Sequence, residues 1–346
     1  MAACGECHLE KINMAGTYKE KFGFQRTLFR IKEIFKRNFN LQFLLYRVKW
    51  NYFPKIGFLS KFPLHVDIET TDKCNLKCVM CVHGQGEVDT SGFIDKDFAK
   101  KVINEAAAGG AYSIKLNWRG EPALYKNMPE LIRFAKERGI LEVQINTNGI
   151  PFSEQRIKDI IHAGLDRIIF SVDADSEQTY NKIRIGGNFD KLIENIESFI
   201  RIRSDLGTKK PFIRLQMVRM KENQNEVRAF IERWKGKVDD LRISDVTDRG
   251  QGKELIVGDQ IAVGRRRCPQ PWQRLIVSRE GLVLGCCSDW HQNWVVGDAR
   301  NESLQSIWKG KKMRKLRNRI AAKQMDEFEP CKSCYVKESY IWISKD

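Results

Sequence analysis

The stretch Cys74-Asn-Leu-Lys-Cys78-Val-Met-Cys81 holds three cysteines in eight residues, just after the apolar run Leu64-His-Val-Asp-Ile. Thiolates are soft ligands suited to zinc or iron–sulfur clusters, and three on one short loop can converge on a single metal centre. A closed structural zinc site takes four ligands. Three thiolates around a four-iron cubane instead leave one iron without a protein ligand, open to a substrate or cofactor. A second cysteine set comes late, as Cys268, Cys286-Cys287 and Cys331-Lys-Ser-Cys334. Between its first members the text predicts a β-hairpin, Arg274-Leu-Ile-Val-Ser and Leu282-Val-Leu around Arg279-Glu-Gly281. That hairpin carries Cys268 and Cys286 on its two arms, and the late Cys-x2-Cys closes a four-thiolate site that fits zinc or a cubane equally well. Cys287 is left over. It reads as a small buried hydrophobe, the sharper alternative being a hydrogen-atom donor. Cys4-Gly-Glu-Cys7 has no partner pair nearby and reads as incidental.

Such loops need a frame, and the text from Leu64 onward supplies one. Apolar, β-rich runs at 64–68, 112–118, 141–146, 167–172, 212–217 and 241–244 alternate with helical segments at 95–107, 128–138, 153–163, 189–206 and 225–235. This alternation predicts an α/β fold with a parallel sheet and crossover helices. In such folds ligands bind at the carboxyl ends of the strands. Cys74 lies just past the first strand, so motifs that follow the other strands converge on the same mouth. The alternation stops after about Arg249. The expected organisation is a basic helical extension over 1–62, the strand–helix domain over 63–250 and a cysteine-bearing domain over 251–346.

With 346 residues and 42% hydrophobic content, the chain can bury a sizeable core. It has no apolar run of the roughly 18 residues a membrane-spanning helix needs. Met1 to His8 lacks the basic and apolar regions of a secretory signal, so ten cysteines argue for metal ligation in a reducing compartment, the cytoplasm. The net charge of +16 is concentrated. Lys11 to Phe62 carries twelve Lys and Arg against Glu20 and Glu33. A solvated helical face explains such a run; attraction to an anionic substrate, nucleic acid or lipid headgroup layer is the alternative. Aromatic residues mixed with the basic ones over 41–62 suit packing on the barrel or, alternatively, a peripheral membrane contact.

Four strand-end segments complete the picture: Trp118-Arg-Gly-Glu-Pro122, Asn146-Thr-Asn-Gly149, Ser171-Val-Asp173 and Met220-Lys-Glu-Asn223 with Glu226. Together with Cys74, Cys78 and Cys81 they resemble the radical S-adenosylmethionine (radical SAM) superfamily. The C-terminal cysteines, with Gly297-Asp298, Ser303-Leu304 and Ile307-Trp308, are similar to the SPASM/Twitch extension of that family. The resemblance implies a partial (β/α)6 TIM-like barrel followed by a small hairpin and helix domain. It implies a SAM-binding [4Fe–4S] cluster on Cys74, Cys78 and Cys81. It also implies an auxiliary [4Fe–4S] cluster on Cys268, Cys286, Cys331 and Cys334. SAM would be held by Met80, Gly120, Glu121, Asn148, Ser171, Asp173 and Arg184. Arg119 departs from the family's Gly-Gly-Glu-Pro, and Met80 stands where an aromatic residue is common.

The implied chemistry begins with an electron from a flavodoxin or ferredoxin. SAM is then cleaved to a 5′-deoxyadenosyl radical that abstracts a substrate hydrogen, and the auxiliary cluster accepts the substrate's electron. The leading expectation is an oxidoreductase acting on a small sugar- or cyclitol-like molecule in antibiotic or polysaccharide assembly. A peptide-modifying enzyme and a redox-neutral epimerase are the alternatives within the family. A zinc-binding scaffold on nucleic acid is the alternative outside it, and no nucleic-acid partner is expected. Glu226, Arg184 and Asp289 are conceivable acid–base groups, none singled out by spacing.

Overall fold

Strand and helix alternate because apolar side chains recur with period two in short β-branched runs and with helical period between them. The computed structural model describes residues 41–84, 86, 92–246, 268–324, 331 and 340–344. The chain divides into two compact units, 1–45 and 46–346. Of the first, only the start of a helix is described. In chain order the elements are α1 (Leu41–Ile56), β1 (His65–Ile68), α2 (Lys96–Gly109), β2 (Ser113–Lys115), α3 (Met128–Glu137), β3 (Glu142–Thr147) and α4 (Glu154–His162). Then come β4 (Arg167–Ser171), α5 (Glu177–Ile183), α6 (Phe189–Asp205), β5 (Phe212–Arg219), α7 (Val227–Trp234) and β6 (Asp240–Asp245). The C-terminal part holds β7 (Arg274–Val277), β8 (Leu282–Leu284), β9 (Val295–Asp298), α8 (Leu304–Lys309), α9 (Lys311–Ala321) and β10 (Tyr340–Ser344).

Strands β1 to β6 pair in sequence, all parallel, as the alternation predicts. The sheet continues on both sides, in the order β10-β6-β5-β4-β3-β2-β1-β7-β8-β9. Its two outer strands do not pair among the described residues, so the barrel is open. The cysteine hairpin is an extension of this sheet. β7 runs parallel to β1, with His65 opposite Arg274 and Ile68 opposite Val277, and β8 turns back antiparallel. No helix of the described residues is long and apolar enough to cross a membrane.

The two faces of the sheet differ in chemistry. Val66, Ile68, Ile114, Leu116, Val143, Ile145, Phe170 and Leu215 point into the core beneath the helices. Their strand neighbours point the other way and pair across strands. Lys115 Nζ lies 2.8 Å and Arg274 Nη1 3.1 Å from the Asp67 carboxylate, Arg167 meets Glu142 at 3.2 Å, and Arg214 pairs with Asp240. Burial would raise the Asp67 pKa, but Lys115 and Arg274 hold it well below the usual range. A parallel sheet covered by helices on both faces has near-continuous apolar strands. Here α1 covers part of the charged face, Tyr46 meeting Ser113 and Trp50 lying against His65 and Arg274.

Several boundaries differ from the sequence expectation for local reasons. The second strand stops at Lys115 because the Asn117 side chain, not the backbone, accepts from the Asn146 N–H at 2.9 Å. The fifth crossover helix starts only at Val227, after a 3₁₀ turn over Gln224–Glu226. Asn223, whose residue type suits a helix cap, makes no cap hydrogen bond. Its side chain accepts from the Met220 N–H and donates to the Asp173 and Val218 carbonyls, each at 2.8 Å.

Candidate cluster and cofactor site

The loop after β1 is built around its cysteines. The Cys81 N–H donates to the Cys78 carbonyl at 3.0 Å and the Gly84 N–H to the Cys81 carbonyl at 2.9 Å, coiling the chain through two successive turns. Cys78 is buried; Cys74 and Cys81 are partly so. Burial pushes the Cys74 thiol up to about 12, and Glu121, Cys78 and Cys81 push it in the same direction. Burial raises Cys81 too, with Cys78 adding to it. Thiols that raise one another are within electrostatic reach, and buried ones ionise only against a positive centre. That donor set fits an iron–sulfur cluster. Among the described residues no three Cys, His, Asp or Glu side chains already stand close enough to hold a metal ion.

The strand-end motifs close on this loop through the backbone. The Glu121 N–H donates to the Lys73 carbonyl at 2.8 Å, Lys77 to Ile185 at 2.9 Å and Val79 to Ile183 at 3.0 Å. The Asn148 side chain donates to Asn75 Oδ1 at 2.8 Å. Gly120 is required by close approach. A Cβ there would lie 2.4 Å from the Thr71 carbonyl oxygen and 2.5 Å from that of Lys73. Gly149 combines a φ of +81° with side chains of Leu192 and Phe170 against the place a Cβ would occupy.

Glu121 is buried and fully engaged. Oε1 accepts from the Ala123 N–H at 2.9 Å and the Thr147 hydroxyl at 2.6 Å, and Oε2 from the Asn148 N–H at 2.7 Å. Burial raises its pKa while these donors hold it back. Its observed work is to lock the 118–122 loop to the 146–149 turn. Asp173, at a φ of +62°, accepts from the Val218 N–H at 2.7 Å and pairs with Arg184 through Nε at 2.9 Å and through Nη2. Arg184 turns Nη1 toward Cys78 Sγ at 3.5 Å. Burial would lower its pKa, but Asp173 and Cys78 raise it further. Ser171 ends β4 two residues before Asp173. Met80 packs with Ile183, Met220 and Val246. Asn146 contributes a buried side-chain oxygen without a hydrogen-bond partner.

Of the conceivable acid–base groups, two have structural engagements instead. Asp289 accepts from the Asn293 and Trp294 N–H groups at 2.9 and 2.8 Å. Glu226 accepts from the Asp175 and Ser176 N–H groups at 2.6 and 3.2 Å and from the Ser176 and Thr179 hydroxyls at 2.6 and 2.5 Å. It thereby anchors the start of α5, whose far end carries Arg184. Burial would raise the Glu226 pKa, but these hydroxyl and amide donors lower it on balance. The stability this adds is present above the unfolded carboxylate value and is lost as pH falls through the lower folded value. Glu226→Ala should cost about 2 kcal/mol at neutral pH. In denaturant titrations the gap from wild type should close as pH falls through the carboxylate range.

A network the sequence did not announce joins this mouth to the C-terminal hairpin. Arg119 grips Glu69 with two bonds, Nε at 2.7 Å and Nη2 at 2.9 Å, and donates through Nη1 to the Trp290 carbonyl at 3.3 Å. Glu69 is wholly buried and the Arg119 side chain is 6% exposed. Trp118 donates to the Cys287 carbonyl at 2.9 Å, and Arg279 pairs with Asp72. β8 ends at Leu284, opposite Ile276, two residues before Cys286. Cys287 is partly buried and packs on Trp118, Ile276 and Leu284. His83, two residues past Cys81, has both ring nitrogens buried without partners. Cys4, Cys7 and Cys334 lie outside the described residues, as does most of the basic N-terminal region.

Comparison with known proteins follows the same division. A family model described as the radical SAM superfamily matches residues 68–232, and one described as an iron–sulfur cluster-binding domain matches 268–335. A probable GTP 3′,8-cyclase of Methanococcus maripaludis is 36% identical over 138 residues, 39% of this chain and 45% of the relative. A GTP 3′,8-cyclase of Lactiplantibacillus plantarum is 34% identical over 171 residues, 48% of this chain and 49% of the relative. The chain thus spans about half the length of these curated relatives. Among solved structures, BtrN in complex with AdoMet and 2-DOIA superposes with a TM-score of 0.53 at 18% identity, covering 80% of this chain and 95% of BtrN. Streptococcus suis SuiB bound to its precursor peptide SuiA gives 0.63 at 14% identity, covering 76% and 68%. At such identities the likeness is one of fold.

Proposed function

The chain belongs to the radical SAM superfamily and carries a SPASM-type extension, and from that premise we propose a radical SAM oxidoreductase that dehydrogenates a small polar molecule of the sugar or cyclitol class. Iron–sulfur clusters and SAM are its cofactors. Cys74, Cys78 and Cys81 hold the cluster that binds SAM. Met80, Gly120, Asn148, Ser171, Asp173 and Arg184 shape the SAM pocket around the loop that Glu121 locks. Cys268, Cys286, Cys331 and Cys334 hold the auxiliary cluster. When bound, the first cluster and SAM supply a 5′-deoxyadenosyl radical that removes one hydrogen atom from the substrate.

The observation that carries the oxidative reading is the bolt between mouth and hairpin. Trp118 and Arg119, immediately before Gly120, bond directly to the backbone of Cys287 and Trp290. These bonds support a cysteine-bearing arm held near the reacting centre, where an electron acceptor for a substrate radical belongs. Electrons enter from a reduced flavodoxin or ferredoxin in the cytoplasm.

The reading is tested by anaerobic incubation of the reconstituted enzyme with SAM, reductant and a panel of deuterated sugars and cyclitols with their phosphates. Deuterium should appear in 5′-deoxyadenosine, with a product lighter than its substrate by two hydrogens. A product of unchanged mass would replace oxidation by epimerisation. Turnover of a peptide alone would move the chain to the peptide-modifying branch.

A further inference from the structure

The segment after α1 and the helix α9 border a half-open cavity of about 520 Å³. Lys61, Lys309, Arg314 and Arg317 line it with Ser60 and Trp272, and none of the described residues lining it is acidic. Arg317 is the built part of this site. It is 6% exposed, stacks on the Trp308 ring at 4.2 Å and donates through Nε to the Pro271 carbonyl at 2.8 Å. Its Nη2 is buried with no partner. A buried guanidinium donor left open costs stability unless a ligand completes it. Burial and the neighbouring Arg314 lower the Arg317 pKa to about 10, so the group keeps its charge at neutral pH, and among the described residues no acid faces it. The helix it sits on, Lys311–Ala321, has six basic residues and no acid.

The wall of the cavity that runs through Gly57, Leu59 and Lys61 is also the edge of an apolar stripe. Tyr46 and Pro54 of α1 are buried, the Tyr46 hydroxyl meeting Ser113 at 2.9 Å. The opposite side of the helix is apolar as well, yet open. Tyr52 is 57% and Ile56 72% exposed, and Phe58 and Leu59 continue the stripe to the cavity rim. A soluble anion would need the cations but not the apolar side chains; an amphiphile needs both.

We propose that the Lys61–Lys309–Arg314–Arg317 cavity binds the phosphate of an anionic phospholipid headgroup while Tyr52, Ile56, Phe58 and Leu59 dip into the membrane surface. Charge selects this occupant over the alternatives. Residues 1–40 carry a surplus of Lys and Arg and would set like charge against the cavity, and a second copy would oppose the same cations to each other. The enzyme thereby rests on an anionic leaflet with α9 against it, held by a few cations and a few apolar side chains and released by salt.

The test is flotation of the full, cluster-loaded chain with vesicles of phosphatidylcholine alone or mixed with phosphatidylglycerol. Binding is expected to the mixed vesicles only. Lys309→Glu with Arg314→Glu, both exposed, should weaken it at least about ten-fold. Tyr52→Ser with Ile56→Ser should weaken it without changing its salt dependence. Both variants should keep wild-type iron content, which shows that they fold. Unchanged vesicle binding by the charge-reversed variant would overturn the proposal by placing the contact elsewhere. Quenching of tryptophan fluorescence by inorganic phosphate without vesicle binding would overturn it in favour of a soluble anion. Concentration-dependent dimerisation abolished by the Tyr52/Ile56 change, without vesicle binding, would overturn it in favour of a second copy.

Discussion

Gly120→Ala should lower the rate of SAM cleavage by about a hundred-fold or more, the scale on which a misplacement of roughly 1 Å acts on a positioned reaction. The added methyl would meet backbone, the Thr71 and Lys73 carbonyl oxygens at 2.4 and 2.5 Å, so no side chain can rotate to relieve it. The 118–122 loop must then lift from the segment that leads into Cys74. Lifting breaks the bond from the Glu121 N–H to the Lys73 carbonyl and shifts Glu121 relative to Asn148. Iron content should stay close to wild type because no thiolate is touched. The loss should show as weaker SAM binding and less 5′-deoxyadenosine per cluster. Activity within a few-fold of wild type would mean that the loop is free to move and that the close approach is not what sets the pocket.

Arg119→Leu should destabilise the protein by about 3–5 kcal/mol, the cost of breaking a buried ion pair from one side. Glu69 is wholly buried and would keep only the Arg279 N–H, at 3.2 Å, as a donor. In the wild type burial already raises the Glu69 pKa, with Arg119 pulling it back. Without the guanidinium only the rise remains. A carboxyl raised in the folded state favours folding below its unfolded pKa, and that contribution disappears as pH climbs through the folded value. The variant's deficit should therefore be largest at neutral and alkaline pH and shrink on acidification, as read from denaturant midpoints. Adding Glu69→Leu should recover most of the loss, since an apolar pair replaces a buried ionic one at little cost. The same change unfastens the hairpin at Trp290, so SAM cleavage should become less well coupled to product formation.

What the sequence disclosed and what it withheld follow from the range of the interactions. The six parallel strands and most crossover helices were legible because periodicity is a local property that burial of one face enforces. The proposed cluster loop was legible because its three cysteines lie within eight residues of each other. The partnership of β7 with β1 was not, since it joins residues some two hundred positions apart, and nothing local in Arg274–Val277 names its neighbour. Arg119 looked like a mere departure from a glycine. Its meaning lies in Glu69, fifty residues earlier, and in Trp290, far downstream. Asn223 and Glu226 show the converse. Their types suggest a helix cap or an acid–base group, but the chain uses both to brace Asp173 and α5, because buried backbone groups there need partners.

The proposed chemistry depends above all on two clusters with different roles, and iron and sulfide content after anaerobic reconstitution tests it most directly. The wild type should be compared with a variant in which Cys74, Cys78 and Cys81 are all Ala, with 5′-deoxyadenosine from SAM and dithionite assayed alongside. About eight irons per chain falling to about four, with SAM cleavage lost, is the predicted result. About four irons in the wild type and none in the variant would contradict it. The C-terminal cysteines would then hold no cluster, and the electron acceptor on which the oxidative reaction depends would be gone.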